Sequence, residues 1–242
     1  MDLNLSAAVC KKLVFLQTVG STNDFLAAEA NTDFQSWPDF SVVCANEQTT
    51  GKGRNQRAWL SPAGASLSVS ILIRNPSHAA HWYGMLLAVA LTESLISQGT
   101  PAGLKWPNDV LVGERKIAGV LGSAHKDLVV VGIGVNLLQI DLEQTESIEN
   151  LGLNTDYDFQ LSELLKNFAI LRSNFESAGK HQLLAKLRDV SHTLGKKIRV
   201  QTDAGEIVGV ATEIDSSGML VLDHGEHRIS AGDILHLRGE TT

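Results

Sequence analysis

Residues 66–73 alternate serine with aliphatic side chains, placing Ser66, Ser68 and Ser70 on one face and Leu67, Val69, Ile71 and Ile73 on the other. That period of two predicts a half-buried strand. Short apolar runs at residues 12–16 and 40–45 read as buried strands, and residues 22–30 between them read as a helix that Ser21 or Thr22 can cap. Over residues 78–98, Trp82, Met85, Leu86, Val89 and Ala90 recur at helical spacing, with Gly99 placed to stop the helix. Three strands follow at 109–112, 116–124 and 128–138, joined through Gly113-Glu114 and Lys126-Asp127, which predicts an antiparallel meander. Residues 141–158 are polar and acidic and read as a surface loop.

Leu161, Leu164, Leu165, Phe168, Leu171 and Phe175 mark a further amphipathic helix, and residues 180–190 continue helical after Gly179. The pattern then changes. From Lys196 onward, five short strand-like runs separated by DAG, DSSG, HGE and GD predict a small β-barrel, so the chain divides into residues 1–193 and 194–242.

A 242-residue chain with 43% hydrophobic residues can fill a sizeable core. Its net charge of -7 argues against a nucleic-acid or anionic-membrane partner, both of which require a broad basic face. Cys10 and Cys44 lie far apart and outside any CxxC spacing, which argues against a disulfide framework. No secretory signal is evident at the N-terminus, and no apolar run approaches the roughly 20 residues of a membrane span, so a cytoplasmic protein is expected.

Against that acidic background, residues 51–59 (GKGRNQRAW) hold Lys52, Arg54 and Arg57 with Gly51 and Gly53 and no acid. Glycines let the backbone approach a ligand and the cations supply charge for phosphate or carboxylate, although a solvated basic loop has the same composition. Ser21-Thr22-Asn23 could be only a helix cap, Gln48 a solvated strand end, and KWPND at residues 105–109 a structural bend in which Pro107 holds Trp106 extended. GIGVN at residues 132–136 follows an apolar run as a dinucleotide fingerprint would, but Leu137 stands where a third glycine is needed, leaving close packing of backbone against a ligand. HExxH, GxSxG and GxxxxGK[ST] are absent, and His78 and His81, read as sharing a helix face, have no third partner, so no protein metal site is expected.

The order and spacing of these segments, with KIAGVL at residues 116–121, resemble the biotin protein ligases, also called biotin-[acetyl-CoA-carboxylase] ligases, over nearly the whole chain. The resemblance implies an α+β catalytic domain with a mixed sheet like that of class II aminoacyl-tRNA synthetases, followed by an SH3-like barrel. It is to the ligase-only form, since a first strand near Lys12 leaves no room for an N-terminal helix-turn-helix. It also implies that biotin and MgATP form biotinyl-5′-AMP and diphosphate, after which a lysine on a carboxylase biotin carrier domain displaces AMP. A homodimer is compatible with it.

By the same resemblance, Ser21, Thr22, Asn23 and Gln48 hold the biotin ring, and Gly51, Lys52, Gly53 and Arg54 close over it. Lys105 and Arg54 are the catalytic cations, with Lys105 bridging the biotin carboxylate and the α-phosphate. Arg57, Trp59, Asn108 and Asn136 complete the ATP and adenylate contacts. The loop reads GKGR where the family pattern is GRGR, so Lys52 lacks the bidentate fork of arginine, and Gln56 stands where glycine is frequent and stiffens the loop. Two rival readings share these residues: a lipoate or octanoyl ligase on the same scaffold, and a non-catalytic sensor of biotinyl-adenylate.

Overall fold

The serine-aliphatic strand lies in the middle of a sheet. In order the chain forms α1 (Asn4–Ala7), β1 (Lys12–Leu16), α2 (Thr22–Thr32), β2 (Ser41–Ala45), β3 (Ser66–Arg74), α3 (Ala80–Ser97), β4 (Ala102–Lys105), β5 (Asp109–Val112), β6 (Arg115–His125), β7 (Leu128–Asn136), α4 (Tyr157–Ala178) and α5 (Lys180–Asp189). A second group follows: β8 (Lys197–Thr202), β9 (Gly205–Ile214), β10 (Leu220–Leu222), β11 (His227–Ile229) and β12 (Asp233–His236). The structure, a computed structural model, describes residues 1–202, 205–230 and 233–236. The expected turn residues Asp203, Ala204 and Gly232, the chain after residue 236, and the effect assigned to the Gln56 side chain lie outside the described residues.

Seven strands join in the order β1-β2-β3-β7-β6-β5-β4. β1 and β2 are parallel, as the intervening α2 permits, and every other neighbouring pair is antiparallel, including the predicted β5-β6-β7 meander. α2 covers one face through Leu26, Ala27 and Ala30 against Val43, Leu72, Leu128 and Val130. α3 and α4 cover the other, where Leu67, Val69 and Ile71 meet Leu86, Leu87 and Phe168 in the main core. All nine residues of β3 are therefore buried, correcting the half-buried expectation. Its serine face meets α2 and a polar cluster instead of water.

Two other expectations change. β4 has no counterpart in the sequence reading. The 141–158 segment is also more than a surface loop: Ser147 and Ile148 are buried, Lys116 bridges to Thr145, and Asp158 lies inside α4, where it accepts hydrogen bonds from the Leu5 and Ser6 amides and the Ser6 hydroxyl of α1. Gly99, at φ 90°, does end α3, because its backbone enters the left-handed region that glycine adopts without strain.

The last five strands pair in the order β11-β10-β9-β8-β12, all antiparallel, as a small β domain. Trp106 ties it to the large sheet. Its backbone N–H donates to Thr193 Oγ1 and its indole Nε1–H to the Gly218 carbonyl, each at 3.0 Å. Trp106 is thus buried in the junction, and its peptide bond to Pro107 is cis.

Candidate active site

A cleft of about 840 Å³, its open mouth included, lies on the α2 side of the sheet and is floored by β6 and β7. Its polar end is built at the N-terminus of α2. Ser21 is the cap, accepting from the Asp24 amide, so the helix begins where the chain reaches the sheet. The Thr22 amide (2.8 Å) and hydroxyl (3.1 Å) both contact Gln48 Oε1, while Gln48 Nε2 reaches Ser68 Oγ at 3.4 Å. Ser70 Oγ lies 2.8 Å from Thr22 Oγ1 and 2.5 Å from Asn23 Oδ1, and Asn23 Nδ2 donates to the Leu121 carbonyl at 3.2 Å.

Asn23 Oδ1 and Gln48 Oε1 can only accept, so the two hydroxyl protons of Thr22 and Ser70 are shared among three short contacts, and the Thr22 amide fixes Gln48 with its oxygen on Thr22. A buried polar cluster of this kind restricts the arrangement of donors and acceptors, as recognition of a neutral polar ring requires.

The glycines of β7 make room for these side chains. A Cβ on Gly132 would overlap the Asn23 amide, and one on Gly134 would overlap the Trp59 indole. Backbone close to a ligand site was the expectation for GIGVN, and the space above it is taken by Asn23 and Trp59. Among the described residues the buried indole Nε1–H of Trp59 meets no acceptor. A buried donor of this kind calls for a partner, which a ligand in the cleft can supply.

Cations line the other end. Residues 51–59 form a small hairpin: Lys52 pairs with Ala58, the Gly53 N–H donates to the Arg57 carbonyl (2.7 Å) and the Trp59 N–H to the Gly51 carbonyl (2.9 Å), with Asn55 at φ 53° in the turn. Lys52, Gly53, Arg54 and Arg57 line the cleft from this hairpin. Arg54 Nη1 lies 3.4 Å from Asn108 Oδ1, which is aimed by two bonds of 2.9 Å between Asn108 and Val120, one from its amide nitrogen and one to its carbonyl.

Lys116 also lines the cleft, and the sequence reading gave it no role. The β5-β6 register shifts between Val110 and Leu111, so Lys116 pairs with Leu111 and Ala118 with Val110. The extra residue rotates Lys116 onto the face of Gly119, where its Nζ lies 2.8 Å from Asp109 Oδ1 and 5.4 Å from the centre of a Trp59 ring. A lysine in an apolar strand three residues before a glycine is the available signal.

Ser21, Thr22, Asn23, Gln48, Lys52, Gly53, Arg54, Arg57, Trp59 and Asn108 therefore meet in one cleft. Three expected site residues do not line it. Gly51 is buried behind the hairpin, where a Cβ would press on the Trp59 carbonyl at 2.5 Å. Asn136 is buried at the end of β7 and donates to the carbonyls of Lys116 and Glu146, so it holds the backbone of Lys116 in place. Lys105 ends β4 opposite Asp109 in the ladder, outside the cleft lining.

Comparison with known proteins places this geometry. Residues 15–136 match the biotin/lipoate A/B protein ligase family, and residues 193–237 match the biotin protein ligase C-terminal domain. The chain is 35% identical to the biotin--[acetyl-CoA-carboxylase] ligase of Mycobacterium tuberculosis, with 94% of this chain and 90% of that protein covered. It is 26% identical to the bifunctional ligase/repressor of Escherichia coli over 86% of this chain and 68% of that protein. Among solved structures it is similar to the biotin protein ligase from Aquifex aeolicus in complex with biotin and ATP, with a TM-score of 0.80, 27% identity, and coverage of 95% of this chain and 100% of that one. A cleft with a fixed polar end and a cationic end, on a mixed sheet shared with these proteins, thus marks the chain as a member of the biotin/lipoate A/B protein ligase family.

Proposed function

We propose that the protein activates biotin with ATP to biotinyl-5′-AMP and transfers the biotinyl group to a lysine of a carboxylase biotin carrier domain. The observation that carries this reading is the continuity of one cleft from the Thr22-Gln48-Asn23 network to Arg54, Arg57 and Lys116. A ureido ring needs fixed donors and acceptors, which a saturated acyl chain does not, so the polar end favours biotin over lipoate.

In the first step a carboxylate oxygen of biotin bonds to the α-phosphorus of ATP, and the bond from that phosphorus to the bridging oxygen breaks, releasing diphosphate. Two anions must approach, so fixed positive charge at the reacting atoms lowers the barrier. Lys116 takes this role in place of Lys105, because it lines the cleft at Gly119 beside the Trp59 ring whereas Lys105 ends β4 outside the lining. Asp109 holds its ammonium in position, which makes Lys116 an electrostatic group and not a base. Arg57 and Arg54 bind further phosphate oxygens, and the Trp59 indole takes the nucleotide side. Magnesium enters with ATP: among the described residues no three His, Cys, Asp or Glu side chains gather to hold a metal, and Asp109 is already paired with Lys116.

In the second step the neutral carrier amine bonds to the acyl carbon, AMP leaves with the former carboxyl–phosphate oxygen, and the nitrogen loses a proton. A second cleft, running between Met85, Trp106 and the Ser217-Gly218-Met219 turn, shares Arg54, Asn108 and Leu121 with the first and gives this amine an approach. The closing hairpin keeps water from the mixed anhydride meanwhile.

The same reading keeps residues 1–193 as the catalytic part and 194–242 as the small β domain, a cytoplasmic setting, and no nucleic-acid partner. Among the described residues no helix is long and apolar enough to cross a membrane. The reading is tested by offering biotin and lipoate separately with ATP and measuring diphosphate release. Release with lipoate and none with biotin rejects it.

A further inference from the structure

The hairpin over the cleft is tied down on both sides. On one side Arg54 reaches Asn108 in the β4-β5 turn. On the other, Lys52 Nζ lies 2.6 Å from Asp24 Oδ2, joining residues 28 apart in the chain. Asp24 follows Asn23 on the first turn of α2, so this contact anchors the hairpin to the helix that carries the polar end of the cleft. The hairpin's own backbone bonds make residues 51–59 move as a unit, so a hold on Lys52 is a hold on the whole strap.

The chemistry of the pair suits a latch that must also open. Both side chains are about half exposed, at 45% and 59%, so the contact is weak, exchanges with water and is screened by salt. Lysine in place of the family's arginine makes it a single point contact and not a bidentate clamp. Asp24 has one competing role, because an acid in the first turn of a helix also favours the helix dipole. That role does not involve Lys52.

We propose that Asp24 is a positioning residue whose ion pair with Lys52 latches the glycine strap shut, and that this latch sets how long the activated intermediate is held. What is held rests on the adenylate-forming reading above; the latch itself rests on the contact between Asp24 and Lys52.

The experiment has two readouts. Amide hydrogen exchange of residues 51–59 without ligand is measured for the wild type, Asp24→Asn, Lys52→Met, the Asp24→Asn/Lys52→Met double variant, and the charge swap Asp24→Lys/Lys52→Asp. Strap exchange is expected to be about 2- to 5-fold faster in Asp24→Asn than in wild type at low salt, with the difference shrinking in high salt. Adding Asp24→Asn to Lys52→Met should give no further acceleration, and the swap should return to within about twofold of wild type. Release of preformed biotinyl-5′-AMP, chased with unlabelled intermediate, should rise in Asp24→Asn by the same factor. Equal acceleration by Asp24→Asn with and without Lys52 would leave only the dipole role and overturn the latch, as would no acceleration at all. Faster strap exchange with unchanged release would overturn the link to retention. If the wild type makes no adenylate from biotin, the fault lies with the functional reading, and release is followed on lipoyl-5′-AMP instead.

Discussion

Replacing Lys116 by methionine tests the assignment of the reacting centre. The substitution keeps most of the stem that crosses Gly119 and removes the charge beside Asp109 and the Trp59 ring. Loss of a preorganised charge contact in the transition state costs about 2–4 kcal/mol, equivalent to roughly 30- to 1,000-fold in rate. A second effect adds to it. The Asp109 side chain is only 25% exposed and loses its counter-ion, so an unpaired carboxylate now faces the incoming phosphate. Repulsion between these like charges pushes the loss toward the upper end of that range. Asp109→Asn combined with Lys116→Met should therefore recover part of the rate lost in Lys116→Met alone. Lys105→Met, in a strand end outside the cleft lining, should cost less than Lys116→Met. The assay is single-turnover diphosphate release at saturating biotin and ATP. A rate within about fivefold of wild type for Lys116→Met, or a larger loss for Lys105→Met, would refute the reasoning.

Three further outcomes are expected. Arg54→Gly should still form the adenylate but release it faster, by the roughly 10- to 150-fold that corresponds to a lost charged hydrogen bond of about 1.5–3 kcal/mol, and bystander proteins should become labelled. Abolished synthesis with an unchanged bystander signal would assign Arg54 to the first chemical step. Gly134→Ala places a methyl where the Trp59 indole lies, so the ring must leave the floor, and the KM for ATP should rise by roughly 5- to 150-fold, the equivalent of about 1–3 kcal/mol of overpacking; an unchanged KM would separate Trp59 from the nucleotide. For Asp158, burial raises the carboxyl pKa, but the Ser6 hydroxyl and the Leu5 and Ser6 amides outweigh it and hold the carboxyl below the ordinary aspartate range. Because the folded value is the lower one, this stabilisation is full above about pH 3.9 and lost as pH falls through the folded value. The melting temperature of wild type should therefore fall more than that of Asp158→Asn between about pH 6 and pH 3, and parallel curves would contradict the sign.

Much of the scaffold is legible because its elements obey a single period. β1 and β5 match their predicted bounds, and α3 ends at Gly99 as the glycine requires. β4 was missed because four residues beginning Ala102-Gly103 after Pro101 show neither period. The burial of β3 is not legible for a different reason: alternating serines look the same whether their face meets water or a buried polar cluster, and only the tertiary structure distinguishes the two. For the site, Ser21-Thr22-Asn23, Gln48 and the glycine hairpin could be named from the motifs that resemble the family. Lys116 could not be singled out that way, since the bulge that turns it into the cleft is a property of strand pairing. KWPND proved to have divided duties: Trp106 anchors the small β domain, Asn108 orients toward Arg54, Asp109 holds Lys116, and Lys105 stands outside the lining.

The central claim is that one cleft both makes the biotinyl-adenylate and passes its acyl group to a protein lysine. The most direct measurement is the intact mass of an isolated carboxylase biotin carrier domain after incubation with the protein, ATP and magnesium, with biotin or lipoate supplied in separate reactions. The account predicts a single biotinyl addition with biotin, dependent on ATP and on the acceptor lysine, and no addition with lipoate. An unmodified carrier in the biotin reaction, with lipoyl addition in the other, would contradict it.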